Sequence, residues 1–228
     1  MNVKLAGIAA ALWGLCVVQG AAHGFGASIT WNREISRLVY DRCASCHRPG
    51  GTAFSLMTYA DAQPKANAIK AAVLARRMPP WGAVKGFGTF RNDQSLTQEQ
   101  IELMSRWVDG GIRRGNNAGL LPKPPVFDAP PAVTIPQDAV KVSGPLTLRA
   151  PLVLDGLVPE TVPLDRSVRM AVRLPGGSVE PLVWLHGYDN KYRHAFLLRR
   201  PMTLPSGAVI EGVPSDTVIA LLPAPAHF

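Results

Sequence analysis

The sequence predicts a two-domain α + β chain, an all-α domain followed by an all-β, sandwich-like one. Two observations carry that expectation. Before about residue 120, apolar residues recur at helical spacing between glycine-containing loops. After residue 132 they alternate with polar ones over short runs bounded by turn residues. Between the two, Pro122, Pro124, Pro125, Pro130, Pro131 and Pro136 block helix and ladder pairing and give an extended connector. The expected divisions are an export signal over 1–22, an α domain over 28–121, a proline-rich linker over 122–131 and a β domain over 132–228.

The N-terminus has the three parts of a secretory leader. Lys4 is the positive end, Leu5 to Val18 is almost wholly apolar, and Gln19-Gly20-Ala21-Ala22 offers small residues for cleavage after Ala22. Leu5–Ala22 is also close to membrane-spanning length, so an uncleaved leader would act as an anchor. Its small and polar end favours cleavage, and the expected location is the periplasm with no stable membrane insertion. Cys16 sits inside the apolar stretch, and Leu15 stands where a lipoprotein would carry a small residue.

Three helices are expected in the first domain. Thr30 to Arg42 carries Ile35, Leu38 and Val39 on one face. Asp61 to Arg77 carries Ile69, Val73 and Leu74, with Asp61 as its cap. In the third, Thr97 and Gln100 form a capping box with Leu96 and Ile101 as a hydrophobic staple. Ile101, Met104, Trp107 and Val108 give its buried face, and Gly110-Gly111 ends it.

The first helix runs into Cys43-Ala44-Ser45-Cys46-His47, and C-x-x-C-H is the attachment signature of a c-type haem. Two thiols must add across the two vinyl groups of the porphyrin, so they need to stand about one helical turn apart on one side of the backbone. The next residue, His47, then falls under the ring as an axial ligand. A zinc site needs two further Cys or His ligands, and no second pair has ligand spacing. A thioredoxin-like pair belongs in a βαβ pattern, whereas the flanks here are helical. Of three cysteines, only Cys43 and Cys46 remain once the leader is gone. One covalent haem c would consume both.

A sixth ligand has to come from the opposite face, usually Met or His. Met78 lies in Arg76-Arg77-Met78-Pro79-Pro80-Trp81, where two prolines end the helix and fix the backbone beside the thioether. Met57 and Met104 compete, but Met104 has a helical core position and Met57 follows the haem motif too closely. No histidine occurs between His47 and the linker, and His23 reads as a solvated residue.

Residues 28 to 125 resemble a class I cytochrome c domain of the bacterial kind whose Met ligand lies in M-P-P. The resemblance rests on Cys43 to Gly50, Phe54-Ser55-Leu56 with Tyr59, Met78-Pro79-Pro80-Trp81, and Leu96-Thr97 through Trp107 to Gly111. It implies an all-α cytochrome c fold, covalent haem at Cys43 and Cys46, and iron between His47 and Met78. It further implies that Tyr59, Arg77, Trp81 and Trp107 line the haem or its propionates.

In the second domain the expected strands are 133–135, 140–142, 146–154, 168–174, 182–185, 192–199, 208–213 and 218–222. Val168, Met170 and Val172 alternate with Arg169, Ala171 and Arg173, while Pro175-Gly176-Gly177 and Pro205-Ser206-Gly207 read as turns. Many short strands of this spacing suggest a sandwich. Tyr188–Phe196 and Pro201–Gly207 are similar to the end of the sandwich domains of ascorbate-dependent copper monooxygenases. The paired copper histidines of that family are missing, since His186 and His194 are not adjacent on one strand face.

The formal charge of +8 arises from 24 Lys and Arg against 16 Asp and Glu. That excess suits a redox partner with an acidic docking surface. The basic residues are spread along the chain, which disfavours nucleic acid. A His/Met-ligated iron leaves no position for substrate, so electron transfer is expected rather than catalysis, with the β domain docking a partner. The alternative is a haem enzyme or a gas or redox sensor in which Met78 dissociates.

Overall fold

The computed structural model describes residues 28–127 and 133–225. The leader with Cys16, His23 and the Pro130-Pro131 pair lie outside the described residues. Within them the chain is mainly β, with two antiparallel four-stranded sheets and short helices, the longest of 12 residues. This corrects the expected order of an all-α cytochrome c domain followed by an all-β domain. The expected Asp61–Arg77 helix is interrupted at Gln63–Lys65 and ends at Leu74, and Arg76 takes a left-handed φ of 52°. Beyond it, Pro79, Pro80, Gly82, Gly86 and Gly88 cannot sustain a helix. The backbone of this segment finds its hydrogen bonds on the edges of the sheets instead.

The helical part starts with a π-helical turn, Trp31–Ile35, that continues as α1 (Ser36–Arg42). Thr30 supplies no side-chain cap. Instead Trp31 and Asn32 donate their backbone N–H groups to the carbonyls of Arg113 and Arg114, at 2.8 and 2.9 Å. The buried Asn32 amide donates to Gly115 and Asn117. Two short helices follow, α2 (Tyr59–Ala62) and α3 (Ala66–Leu74). The helix α4 (Gln98–Asp109) begins at the Thr97–Gln100 capping box and buries Ile101, Met104, Trp107 and Val108. Each such aliphatic side chain contributes about 1.5–3 kcal/mol by leaving water. Trp107 packs 6.1 Å from Trp31 and donates its indole N–H to the Arg113 carbonyl, so α4 and the entry turn close on each other.

The strands are β1 (Val140–Val142), β2 (Leu146–Thr147), β3 (Leu152–Thr161), β4 (Val168–Arg173), β5 (Val179–Leu185), β6 (Phe196–Leu204), β7 (Val209–Glu211) and β8 (Val218–Pro223). One sheet has the order β1-β8-β3-β6, the other β2-β7-β4-β5. Their inner faces share one core: Leu154, Leu157 and Phe196 of the first sheet meet Met170, Leu185 and Ile210 of the second. The chain changes sheets between β2 and β3, where Pro151 cannot donate to a ladder. Residues 133–135, expected as a strand, are not one.

Two segments of the helical half reach into this β core. Trp81 and Phe90 are buried in it, 5% and 6% exposed, and Ala83 packs against it.

Candidate functional site

The C-x-x-C-H stretch forms a single turn prolonging α1. The N–H groups of Cys43 and Ala44 return to the Val39 carbonyl, and those of Cys46 and His47 return to the Cys43 carbonyl, at 3.2 and 2.9 Å. Ala44 is fully buried and pins the turn to the helical core. Cys43 is half-buried against that core and Cys46 is exposed, and both are free thiols. Burial pushes the Cys43 thiol up to about 12, with Asp41 and Cys46 adding to the effect. That is opposite to the depressed thiol of a redox-active C-x-x-C pair.

The loop after His47 folds back over the turn. Ala53 donates to the Cys46 carbonyl at 3.2 Å and Leu56 to the His47 carbonyl at 3.0 Å. A Cβ on Gly51 would stand 2.2 Å from the Cys46 carbonyl oxygen, so glycine is required for this closure. The returning segment brings Phe54 to His47. Nδ1 of His47 lies 2.9 Å from the Phe54 carbonyl oxygen, and the two rings meet edge to face at 4.7 Å. With Nδ1–H donating to that carbonyl, Nε2 carries the free lone pair. Metal-bound histidines are commonly fixed this way.

The segment is braced below. Ser55 donates its hydroxyl to Asp61, which with Thr58 forms the capping box of α2. Tyr40 donates its hydroxyl to the Met57 carbonyl at 2.9 Å. The Ser55 hydroxyl holds the Asp61 carboxyl below its usual range against the opposing effect of burial, with Thr58 and Lys65 helping. Asp61 is therefore the third residue of the helix, with Thr58 as its cap, rather than the cap itself. Phe54 stays 54% exposed despite its size.

Do these residues fit a covalent haem? Two free thiols stand on one turn, a histidine beside them has its orientation fixed and one nitrogen free, and a large aromatic lies uncovered against that histidine. This donor set fits. Among the described residues no group of three His, Cys, Asp or Glu side chains is placed to hold a metal ion. One His and one Met on a haem iron need no such group.

Of the other expected site residues, Tyr59 and Trp107 join the helical core and Trp81 the β core, while Arg77 and Met78 belong to neither. Tyr59 and Trp107 both pack on Trp31, and Tyr59 donates its hydroxyl to the Ile112 carbonyl at 2.8 Å. Arg77 is exposed, with its backbone N–H bonded to the Ala72 carbonyl. Met78 is half-buried and belongs to neither apolar cluster, while Met104 is buried in the helical core. Met57 is half-buried and packs against the helical core. Trp81 is committed to the β core: its ring stacks on His194 at 4.8 Å and 20°, and meets Phe196 edge to face at 4.7 Å.

His194 and the Phe54 carbonyl are the contributors that sequence reasoning missed. The His194 Nδ1 lies 2.8 Å from the Tyr192 carbonyl oxygen, and its Nε2 is buried with no hydrogen-bond partner of good geometry among the described residues. Nothing local in the sequence marks a pair more than a hundred positions apart.

No family model matches the chain, and neither the curated proteins nor the solved structures contain a match to it.

Proposed function

We propose that the chain is an exported electron carrier with one haem c attached through Cys43 and Cys46 and iron held between His47 and Met78. One observation carries this reading. On the same turn as two free thiols, His47 is oriented through Nδ1 by the Phe54 carbonyl, leaving Nε2 as a ligand. When bound, the haem supplies a one-electron couple, whose potential a thioether ligand raises.

The chain's own residues supply the rest. Cys43 and Cys46 offer the thiols for the two thioether links. The Phe54 carbonyl, backed by Ser55 and Asp61, keeps the imidazole in one tautomer and one direction. Phe54 shields the edge of that imidazole from water. The excess of Lys and Arg suits docking to an acidic partner, and the sandwich offers surface for it. With His47 and Met78 both bound to iron, no position would remain for substrate, which favours a carrier over an enzyme or gas sensor.

Replacing Met78 with Ala tests the ligand pair. Haem should stay attached, the reduced holoprotein should bind carbon monoxide, the Met-to-iron charge-transfer band should vanish and the potential should fall. An unchanged, carbon-monoxide-resistant haem would move the sixth ligand elsewhere, with Met57 first. Free carbon monoxide binding by the wild type would replace the carrier with the open-site enzyme or sensor.

A further inference from the structure

The segment following Met78 is fastened to both sheets of the sandwich. Near its start, His186 donates its N–H to the Gly82 carbonyl at 2.9 Å and Val84 donates to the Trp184 carbonyl at 2.8 Å, with Ala83 bridging Leu185 of β5. Near its end, Arg91 donates to the Leu197 carbonyl and Arg199 to the Thr89 carbonyl, both at 2.9 Å, with Phe90 bridging Leu198 of β6. Residues 82–91 therefore strap an edge of one sheet to an edge of the other. Side chains lock the far end: Arg91 pairs with both oxygens of Asp155, at 2.9 and 2.7 Å, and the Asn92 amide donates to the Ala195 carbonyl at 2.8 Å.

The near end is held by rings. Trp81 lies between His194, Phe196 and Phe90. Next to it, Gly82 has a φ of +69°, and a Cβ there would meet Tyr188 at 2.8 Å. The Trp81 N–H donates to the Pro79 carbonyl at 2.8 Å. The buried indole and this short backbone turn together fix where the segment after Met78 begins. The hydrogen bonds named here come from the sandwich or from the strap itself, and the helical half reaches the segment only past its far end, where Arg42 of α1 donates to the Asp93 carbonyl at 2.8 Å.

We propose that the sandwich positions the sixth ligand: His194, acting through Trp81, anchors the segment that presents Met78. This rests on the haem reading above and gives the β half a task beyond docking. His194 is a positioning residue, its contacts being Trp81, Tyr188, Phe196 and the Tyr192 carbonyl. Its ring, fixed by Tyr192 and stacked flat on Trp81, sets where the strap begins. Losing the ring loosens the strap at its Met78 end and raises the fraction of iron without its thioether.

The experiment uses the full-length holoprotein as wild type, Met78→Ala, His194→Ala, His194→Phe and, as a control at an exposed position in the same loop, Lys191→Ala. Midpoint potential, the Met-to-iron charge-transfer band and carbon monoxide binding by the reduced form are read alongside amide exchange of residues 78–92. His194→Ala should raise the fraction of Met-dissociated iron about tenfold, equivalent to ~1.4 kcal/mol. It should also speed exchange at residues 80–84 while leaving α4 protected. His194→Phe, which keeps a ring on Trp81, should restore the wild-type potential, and Lys191→Ala should match wild type.

A His194→Ala protein with wild-type potential, band and carbon monoxide resistance, in a chain where Met78→Ala changes all three, overturns this proposal alone. A Met78→Ala protein indistinguishable from wild type overturns the ligand assignment and this proposal with it. If His194→Ala does not fold, a His194→Phe protein with the potential of Met78→Ala also overturns it.

Discussion

His47 directs Nδ1 to the carbonyl oxygen of Phe54, 2.9 Å away and seven positions along the chain. The contact exists because residues 48–56 fold back on the turn that carries Cys43 and Cys46, and because residues 55–61 hold that loop in place.

Gly51 is the tightest point of the loop. Gly51→Ala sets a methyl carbon against the Cys46 carbonyl, which only a backbone shift can relieve. The variant should lose ~2 kcal/mol or more of stability in denaturant titration. The yield of protein with covalently attached haem should fall with it. A variant as stable as wild type would mean that the loop closes differently.

Asp61 joins the loop to α2. Asp61→Ala removes the Ser55 hydrogen bond and the acidic half of the Thr58 box, and should cost about 1 kcal/mol. Its folded pKa is depressed, so its contribution is present above the unfolded carboxylate value and is lost as pH falls through the folded one. Acid titration of stability should therefore separate wild type from Asp61→Ala at neutral pH and bring the two together below the folded value. Parallel curves across that range would contradict this.

Thr97 caps α4, accepting a hydrogen bond from the Gln100 N–H at 3.2 Å. Thr97→Ala should destabilise by about 1 kcal/mol and Thr97→Ser by less, measured by thermal unfolding. Equal effects of the two would mean that the threonine methyl matters rather than the cap.

His194 gives a pH dependence of the β half. Burial pulls its pKa below the ordinary imidazole value, against the opposing effects of the Tyr192 and Trp81 backbones. The titratable ring facing it is Tyr188, pushed up to about 12 by burial, with Arg193 and Asp189 flanking. The unfolded chain takes up a proton on this residue before the folded one does. Stability is then full above about pH 6.5 and is lost as pH falls from there through the folded value. His194→Phe should flatten that slope, and an unchanged slope would place the titration elsewhere.

What could be read from the sequence was local. The C-x-x-C-H turn, the Thr97–Gln100 box and the Val140–Val142 and Val168–Arg173 strands are encoded by neighbours within a few positions, and the structure has them at those places. The expected strand ends at Leu154, yet β3 runs on to Thr161 through an irregularity at Gly156, which admits the Phe196 carbonyl. The reading of one strand over 146–154 likewise missed that the chain changes sheets at Pro151. Long-range pairing was not legible. Trp81 looked like part of an α domain because it follows M-P-P, and only the packing of His194 and Phe196 on its ring shows that the β core claims it. The all-α expectation failed on the same segment, whose prolines and glycines hand its backbone to the sheet edges.

The central claim is that one haem is bound covalently at Cys43 and Cys46. Intact mass of the exported protein after acid–acetone extraction tests it most directly. The account predicts a chain beginning near His23 that carries the mass of a single haem resistant to extraction, and a Cys43→Ser, Cys46→Ser protein that carries none. A wild-type protein with unmodified thiols, with extractable haem or with two haems would contradict it.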